Sequence, residues 1–302
     1  MMISWEEVVL KEYADMKKGE RGAWVSIIVY IVLSMTKLGF GFAYHSAALQ
    51  ADGWNNLTDI VASVAVLIGL RISQKPPDRD HPYGHFRAET ISALVASFIM
   101  ATVGIQVIVS TVQSLWSSDT HVPNVVTGWV ALLCAVVMLV VYLYNSRLAK
   151  RIQNKALMAA AHDNRSDALV SIGAAIGIFG AQWGFPWLDP LAALTVGIVI
   201  LKTAWDIFYD ASHALTDGFD EKKLEMLRKT IAHTNGVHAI RDVKARLHGN
   251  RVLVDVIVLV DPKLTLIESH RICDEVEHRM MHSHNITEVQ VHVEPLLKGE
   301  PS

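Results

Sequence analysis

The chain has 302 residues, 51% of them apolar and 19% charged, with a formal net charge of −3. Its mean hydropathy of +0.30 is too high for a single water-soluble domain of this length, and without a basic stripe it offers no nucleic-acid surface. Two cysteines, Cys134 and Cys273, supply neither a disulfide framework nor a CxxC metal pair.

Residues 1–21 are charged and amphipathic, lack the layout of a signal peptide, and read as a short cytosolic segment at the membrane surface. A hydrocarbon core about 30 Å thick takes roughly 20 apolar helical residues to cross. Six segments qualify: 22–44, 48–71, 88–115, 124–147, 156–182 and 187–209. The second and fifth carry acids and amides in their middles, but the flanking loops leave no other place for them.

Basic residues are retained on the cytoplasmic side of a membrane. Lys11, Lys17, Lys18 and Arg21 precede the first span. Arg71, Lys75, Arg79 and Arg87 follow the second, and Arg147, Lys150, Arg151 and Lys155 follow the fourth. The loops 45–47, 116–123 and 183–186 contain no Lys or Arg. Both termini are therefore expected in the cytoplasm of a multi-pass cell-membrane protein.

Past Asp210 the pattern changes. Residues 220–234 read as a helix, 238–247 and 251–260 as strands joined through Gly249-Asn250, and 286–294 as a further strand. Thr265 with Glu268 forms a capping box that opens a helix running to about residue 283. The order α-β-β-α-β predicts a small cytosolic α+β domain over 211–302, behind a six-helix transmembrane domain over 22–210.

The chemistry sits mid-span. Asn55 and Asp59 lie four apart in the second span, and Asp163 and Asp167 four apart in the fifth, so each pair shares a helix face. An acid at the centre of a membrane helix costs about 2.5–3.5 kcal/mol on insertion scales, and three of them require a reason. Pairing with one another, with Arg165 or with water would be the plain explanation. The repeat on two helices favours a metal, because two facing pairs supply four oxygen donors around one point. Carboxylate and carbonyl oxygens suit Mg²⁺, Ca²⁺ and Mn²⁺, whereas imidazole and thiolate favour Zn²⁺ and Cu⁺. His162 lies about 100° round the helix from Asp163 and reads as a packing residue.

These paired spacings, the segment DRDHPYGHFRAE over 78–89, the six spans and the α+β tail resemble the cation diffusion facilitators. The likeness covers nearly the whole chain from about residue 20. It implies a homodimer with a ferredoxin-like cytosolic domain that exports divalent metal in exchange for protons, with no permanent cofactor and no enzymatic activity. In zinc-transporting members the position of Asp163 is typically histidine and that of Asn55 aspartate or histidine. The combination NxxxD with DxxxD resembles the bacterial manganese group, so Mn²⁺ is the expected substrate.

The same resemblance implies secondary sites. Asp78, His81 and His85, whose spacing also allows them to converge on one ion, match a second metal site. Arg87 matches a basic residue that pairs with an acid after the sixth span, here Asp217. In the tail, His270, His292 and Glu294 match part of a two-metal site, but Arg241 and Ile257 stand at two further ligand positions, so dimerisation is the expected role of the domain.

An exporter of Fe²⁺ or Zn²⁺ is the alternative within this class, and a membrane-anchored metal sensor without transport the alternative outside it. The sensor leaves the mid-span acids without a task. No GxxxxGK[ST] sequence supports an ATP-driven pump.

Overall fold

The computed structural model describes residues 25–116, 122–152, 155–249, 251–284, 286 and 288–297. Residues 1–21 and Asn250 of the expected hairpin turn lie outside them. The chain divides into two compact units, one of residues 1–64 with 96–205 and the other of 65–95 with 206–302.

Helix α1 runs Val25–Ala43, followed by α2 (Ala47–Ser73), α3 (Arg87–Trp116), α4 (Val125–Ile152), α5 (Lys155–Gln182) and α6 (Leu188–Leu215). At 1.5 Å per residue the 27 residues of α2 span about 40 Å. Five of the six, α1 to α4 and α6, are long and apolar enough to cross a membrane. Helix α5 is 28 residues long, and His162, Asp163, Arg165 and Asp167 lower its apolar character.

The first unit is apolar outside and buries a set of polar residues among its apolar contacts. Val32, Met35, Leu133, Val136 and Ile176 face outward, while Lys37, Asp52, Asn56, Thr58, Asn145, Asn164 and Ser171 are buried. Such a surface suits lipid, and the buried polar groups must find partners inside the bundle. Small residues let the helices close on one another. Tyr30, Leu33, Cys134, Met138 and Ala168 join α1, α4 and α5. Ala48, Leu49, Ala131, Ala174 and Ile178 join α2, α4 and α5, and Ala51, Val107, Ala193 and Val196 join α2, α3 and α6. At Gly53 a Cβ would come within 2.8 Å of the Leu38 side chain, so α1 and α2 touch where only glycine fits.

The start of α2 is capped twice. Ser46 Oγ accepts from Leu49 N at 3.2 Å. Asp189, in the first turn of α6, accepts from Ser46 Oγ and from Ala47 N, both at 2.7 Å. A carboxylate is the right charge for a helix N-terminus. Helix α6 continues past the predicted end at 209 because nothing in Asp210–Leu215 disfavours helix. It stops at Asp217, whose φ of 60° is left-handed, with Gly218 N bonding back to His213 O at 2.8 Å.

The tail has the expected element order: α7 (Glu221–Ala232), β1 (Ala239–His248), β2 (Arg251–Val260), α8 (Leu266–His284) and β3 (Glu288–Pro295). The sheet order is β1-β2-β3, with β1 antiparallel and β3 parallel to β2. A parallel partner requires a crossover, which α8 provides. Leu227 and Ile231 of α7, Val276 and Met280 of α8, and Val254, Val256 and Val258 of β2 fill one core. Gly249 takes φ 64° at the hairpin tip, and a side chain there would collide with the Phe86 carbonyl.

The capping box at α8 forms in both directions. Thr265 N donates to Glu268 Oε2 at 2.8 Å, and Glu268 N to Thr265 Oγ1 at 3.3 Å. The Thr265 N–H holds the Glu268 carboxyl below the usual glutamate range. A depressed carboxyl contributes above its unfolded pKa, and the contribution is lost as pH falls through the lower folded value. Thr265→Ala removes the Oγ1 that accepts from Glu268 N and should lower hydrogen-exchange protection of the first turn of α8. Glu268→Gln should remove the acid dependence of that protection.

Candidate metal centre

Helices α2 and α5 present their polar faces to one another in the first unit. Asn55 Nδ2 donates to Asp167 Oδ1 at 3.0 Å and lies 3.5 Å from Asp59 Oδ2. Asn55 is 6% exposed and Asp167 7%, whereas Asp59 is half-buried and Asp163 exposed. Three of the four expected residues thus meet directly. The carboxylates of Asp59, Asp163 and Asp167 do not converge as a set to within 4.8 Å of one another. The Asn55 amide nitrogen joins two of the three acids.

Two further groups, which no local sequence pattern singles out, stand here. Tyr30 of α1 donates its hydroxyl to Asp167 Oδ2, which occupies the second oxygen of that carboxylate. Farther along α1, Lys37 Nζ donates to Asp52 Oδ1 at 2.9 Å, Asn56 Oδ1 at 2.6 Å and Ser171 Oγ at 2.8 Å. Its three donors meet three acceptors, two on α2 and one on α5. Breaking such a buried pair by removing one partner costs about 3–5 kcal/mol, because the other charge is left uncompensated. What the sequence does show is a lysine amid the apolar residues of α1 and a second i,i+4 polar pair, Asp52 and Asn56, beside the first.

In the second unit, Asp78, His81 and His85 place one ligand atom each within 4.8 Å of one another, and among the described residues no other group of three His, Cys, Asp or Glu does so. His81 Nδ1 is 3.2 Å from Asp78 Oδ1, and His85 Nε2 is 3.5 Å from Asp78 Oδ2. The His81 backbone N–H holds the Asp78 carboxyl below the usual range. A cavity of about 510 Å³ lies beside this loop, lined by His81, Tyr83, His85, Arg87, Arg246 and His248 among others. Burial, then the Arg87 charge, pushes His248 down.

Arg87 Nη2 bonds Asp217 Oδ1 at 2.7 Å, with side-chain exposures of 39% and 52%. In the tail, Glu294 pairs with Arg241 and lies 3.6 Å from His292, while His270 faces Asp274 at 3.7 Å on α8. His270, His292 and Glu294 are not brought together as a three-ligand group.

Residues 23–216 match the cation efflux transmembrane domain, and residues 219–296 the cytoplasmic domain of cation efflux proteins. The chain belongs to the cation efflux family, the cation diffusion facilitators. Its members are transporters and not enzymes, so this is a membrane protein that carries metal cations outward. It is 56% identical over 281 residues to the uncharacterized transporter YdbO of Bacillus subtilis (strain 168), covering 93% of this chain and 97% of that one. It is 55% identical over 287 residues to the manganese efflux system protein MneS of the same organism, covering 95% and 99%. Against the manganese efflux system protein MneP, also from Bacillus subtilis, it is 31% identical over 282 residues, covering 90% and 95%.

In this transporter the Arg87–Asp217 pair is half exposed, and an exposed pair contributes at most about 1 kcal/mol. Asp217→Asn keeps a residue that tolerates left-handed backbone. It should lower stability in detergent by no more than that, as read from thermal unfolding.

Proposed function

We propose that this cation efflux protein exports Mn²⁺ from the cytoplasm, binding it between Asn55, Asp59, Asp163 and Asp167 in exchange for protons. The observation that carries the reading is the buried cluster in which Asn55 bonds Asp167 and approaches Asp59. It is an all-oxygen donor set, and oxygen donors suit a hard ion. The names of MneS and MneP agree with that choice.

In this reading α5 is a sixth span, tolerated because its acids face a polar seam, and the loop charges put both termini in the cytoplasm. The transmembrane domain covers 22–210. The tail, 211–302, is a ferredoxin-like dimerisation domain, and the functional unit is a homodimer. The Asn55 amide nitrogen faces the Asp167 and Asp59 carboxylates. To ligate, the amide turns so that the carbonyl oxygen faces the ion, and Asp163 swings in as the cation offsets the repulsion. Rocking of the bundle then exposes the site outside. There protons compete for crowded, desolvated carboxylates, which favour the neutral acid form. At the loop, Asp78, His81 and His85 hold a second ion with more imidazole character. Arg87 and Asp217 act as a hinge between the membrane and cytosolic parts. In the tail, His270, His292 and Glu294 form at most a weak regulatory site, since Arg241 already engages Glu294.

Asp59→Ala and Asp167→Ala should each abolish Mn²⁺ flux in proteoliposomes while the protein stays folded, and wild-type flux in either would discard the site. Asp163→His should gain Zn²⁺ transport at the expense of Mn²⁺. An unchanged metal ranking in competition assays would remove the argument from ligand hardness.

A further inference from the structure

The metal reading uses Asn55, Asp59, Asp163 and Asp167 and leaves the Lys37 network beside them without a task. Exposure is graded across the two sets. Lys37, Asp52, Asn56 and Ser171 are each 0% exposed. Asn55 and Asp167 are at 6% and 7%, Asp59 is half-buried and Asp163 is exposed. The gradient has a direction. Asp52 lies three residues before Asn55 on α2, and Ser171 four after Asp167 on α5, both toward the end of the bundle that holds the short α1–α2 connection. Beyond them toward that end come Ala48, Leu49, Ala174 and Ile178, all at 0% and packed as one cluster. The site is therefore shut on that side by a polar layer and then an apolar one.

The polar layer is held by one atom. Lys37 Nζ joins α1 to α2 and to α5, and a lysine ammonium has three donors and no more. Its acceptors are not fully satisfied. Asp52 Oδ2 is buried without a hydrogen-bond partner. Unmet buried polar groups favour any alternative that admits water to them. The layer therefore holds the helices together yet gains hydration when they part. It also adjoins the ligands: Asn56 follows Asn55 in the chain.

We infer that Lys37 is a positioning residue that closes the metal site on the side of the α1–α2 connection, and that its bonds to α2 and α5 part each time the site opens there. This rests on the metal reading above, in which that side is the exterior. It adds a moving closure to a site that otherwise has ligands alone.

The test is Lys37→Met with Asp52→Leu, which removes both charges and leaves neither buried alone. A reporter cysteine replaces Ala174 in full-length protein carrying Cys134→Ala and Cys273→Ser. With closure weakened, labelling of position 174 by a membrane-impermeant maleimide from the outer face should rise roughly tenfold, while Mn²⁺ affinity of the purified protein stays within about threefold of the parent. Proton-driven Mn²⁺ uptake into proteoliposomes should fall as coupling is lost. Labelling at the parent level overturns the inference whatever the flux. A large loss of Mn²⁺ affinity also overturns it, because Lys37 would then be shaping the ligands and not closing the site. Asp59→Ala in the same binding assay separates the two claims: if it binds Mn²⁺ like the parent, the site reading has failed, and if it does not, the site stands and only the closure is in question.

Discussion

In hydrocarbon there is no water to satisfy a polar side chain, so each must find its partner within the protein. The first unit is organised by that constraint. Lys37 meets Asp52, Asn56 and Ser171, Tyr30 meets Asp167, and Asn145 and Asn164 share Ser26. Every one of these bonds runs between helices. The apolar contacts of Ala131, Ala174 and Ile178 pack helices α4 and α5 together with α2. The polar bonds choose the angular setting, since a rotation of α5 by one residue, about 100°, would withdraw Ser171 and Asp167 together. The donors that hold the bundle and those that would hold a metal are thus set by the same helix rotations.

The two ligand clusters differ in chemistry as well as in place. The loop group has two imidazoles and one carboxylate and is largely exposed. The membrane cluster is all oxygen and depends on the packing of α2 against α5. A borderline ion suits the first and a hard ion the second. One chain therefore presents two unlike sets of donor atoms.

Much of this architecture was legible in the sequence because periodicity is local. The elements of the tail fall within a few residues of their expected bounds, and the capping box at Thr265 forms as its spacing requires. Asn55 with Asp59 and Asp163 with Asp167 were legible for the same reason: a four-residue spacing fixes a shared face before any tertiary contact is known. What escaped notice depends on distance along the chain. Tyr30 lies 137 residues from Asp167 and Lys37 lies 134 from Ser171, and no local pattern links them. Helix α1 read as a plain apolar span, so its lysine attracted no attention. Asp163 stands apart from its expected companions because shared face within a helix says nothing of side-chain reach across to another. Helix α5 shows the limit of hydropathy, which averages away the difference between an acid facing lipid and one facing a seam.

The double cap on α2 bears on how the chain is made. Ser46 lies ahead of its helix and can serve Leu49 at once. Asp189, which receives the Ala47 and Ser46 donors, is more than 140 residues downstream. Until the ribosome has passed it, the first turn of α2 has no carboxylate to meet, and its amides depend on water at the bilayer surface. The first turn of α2 thus gains its carboxylate partner only from a segment made long after it.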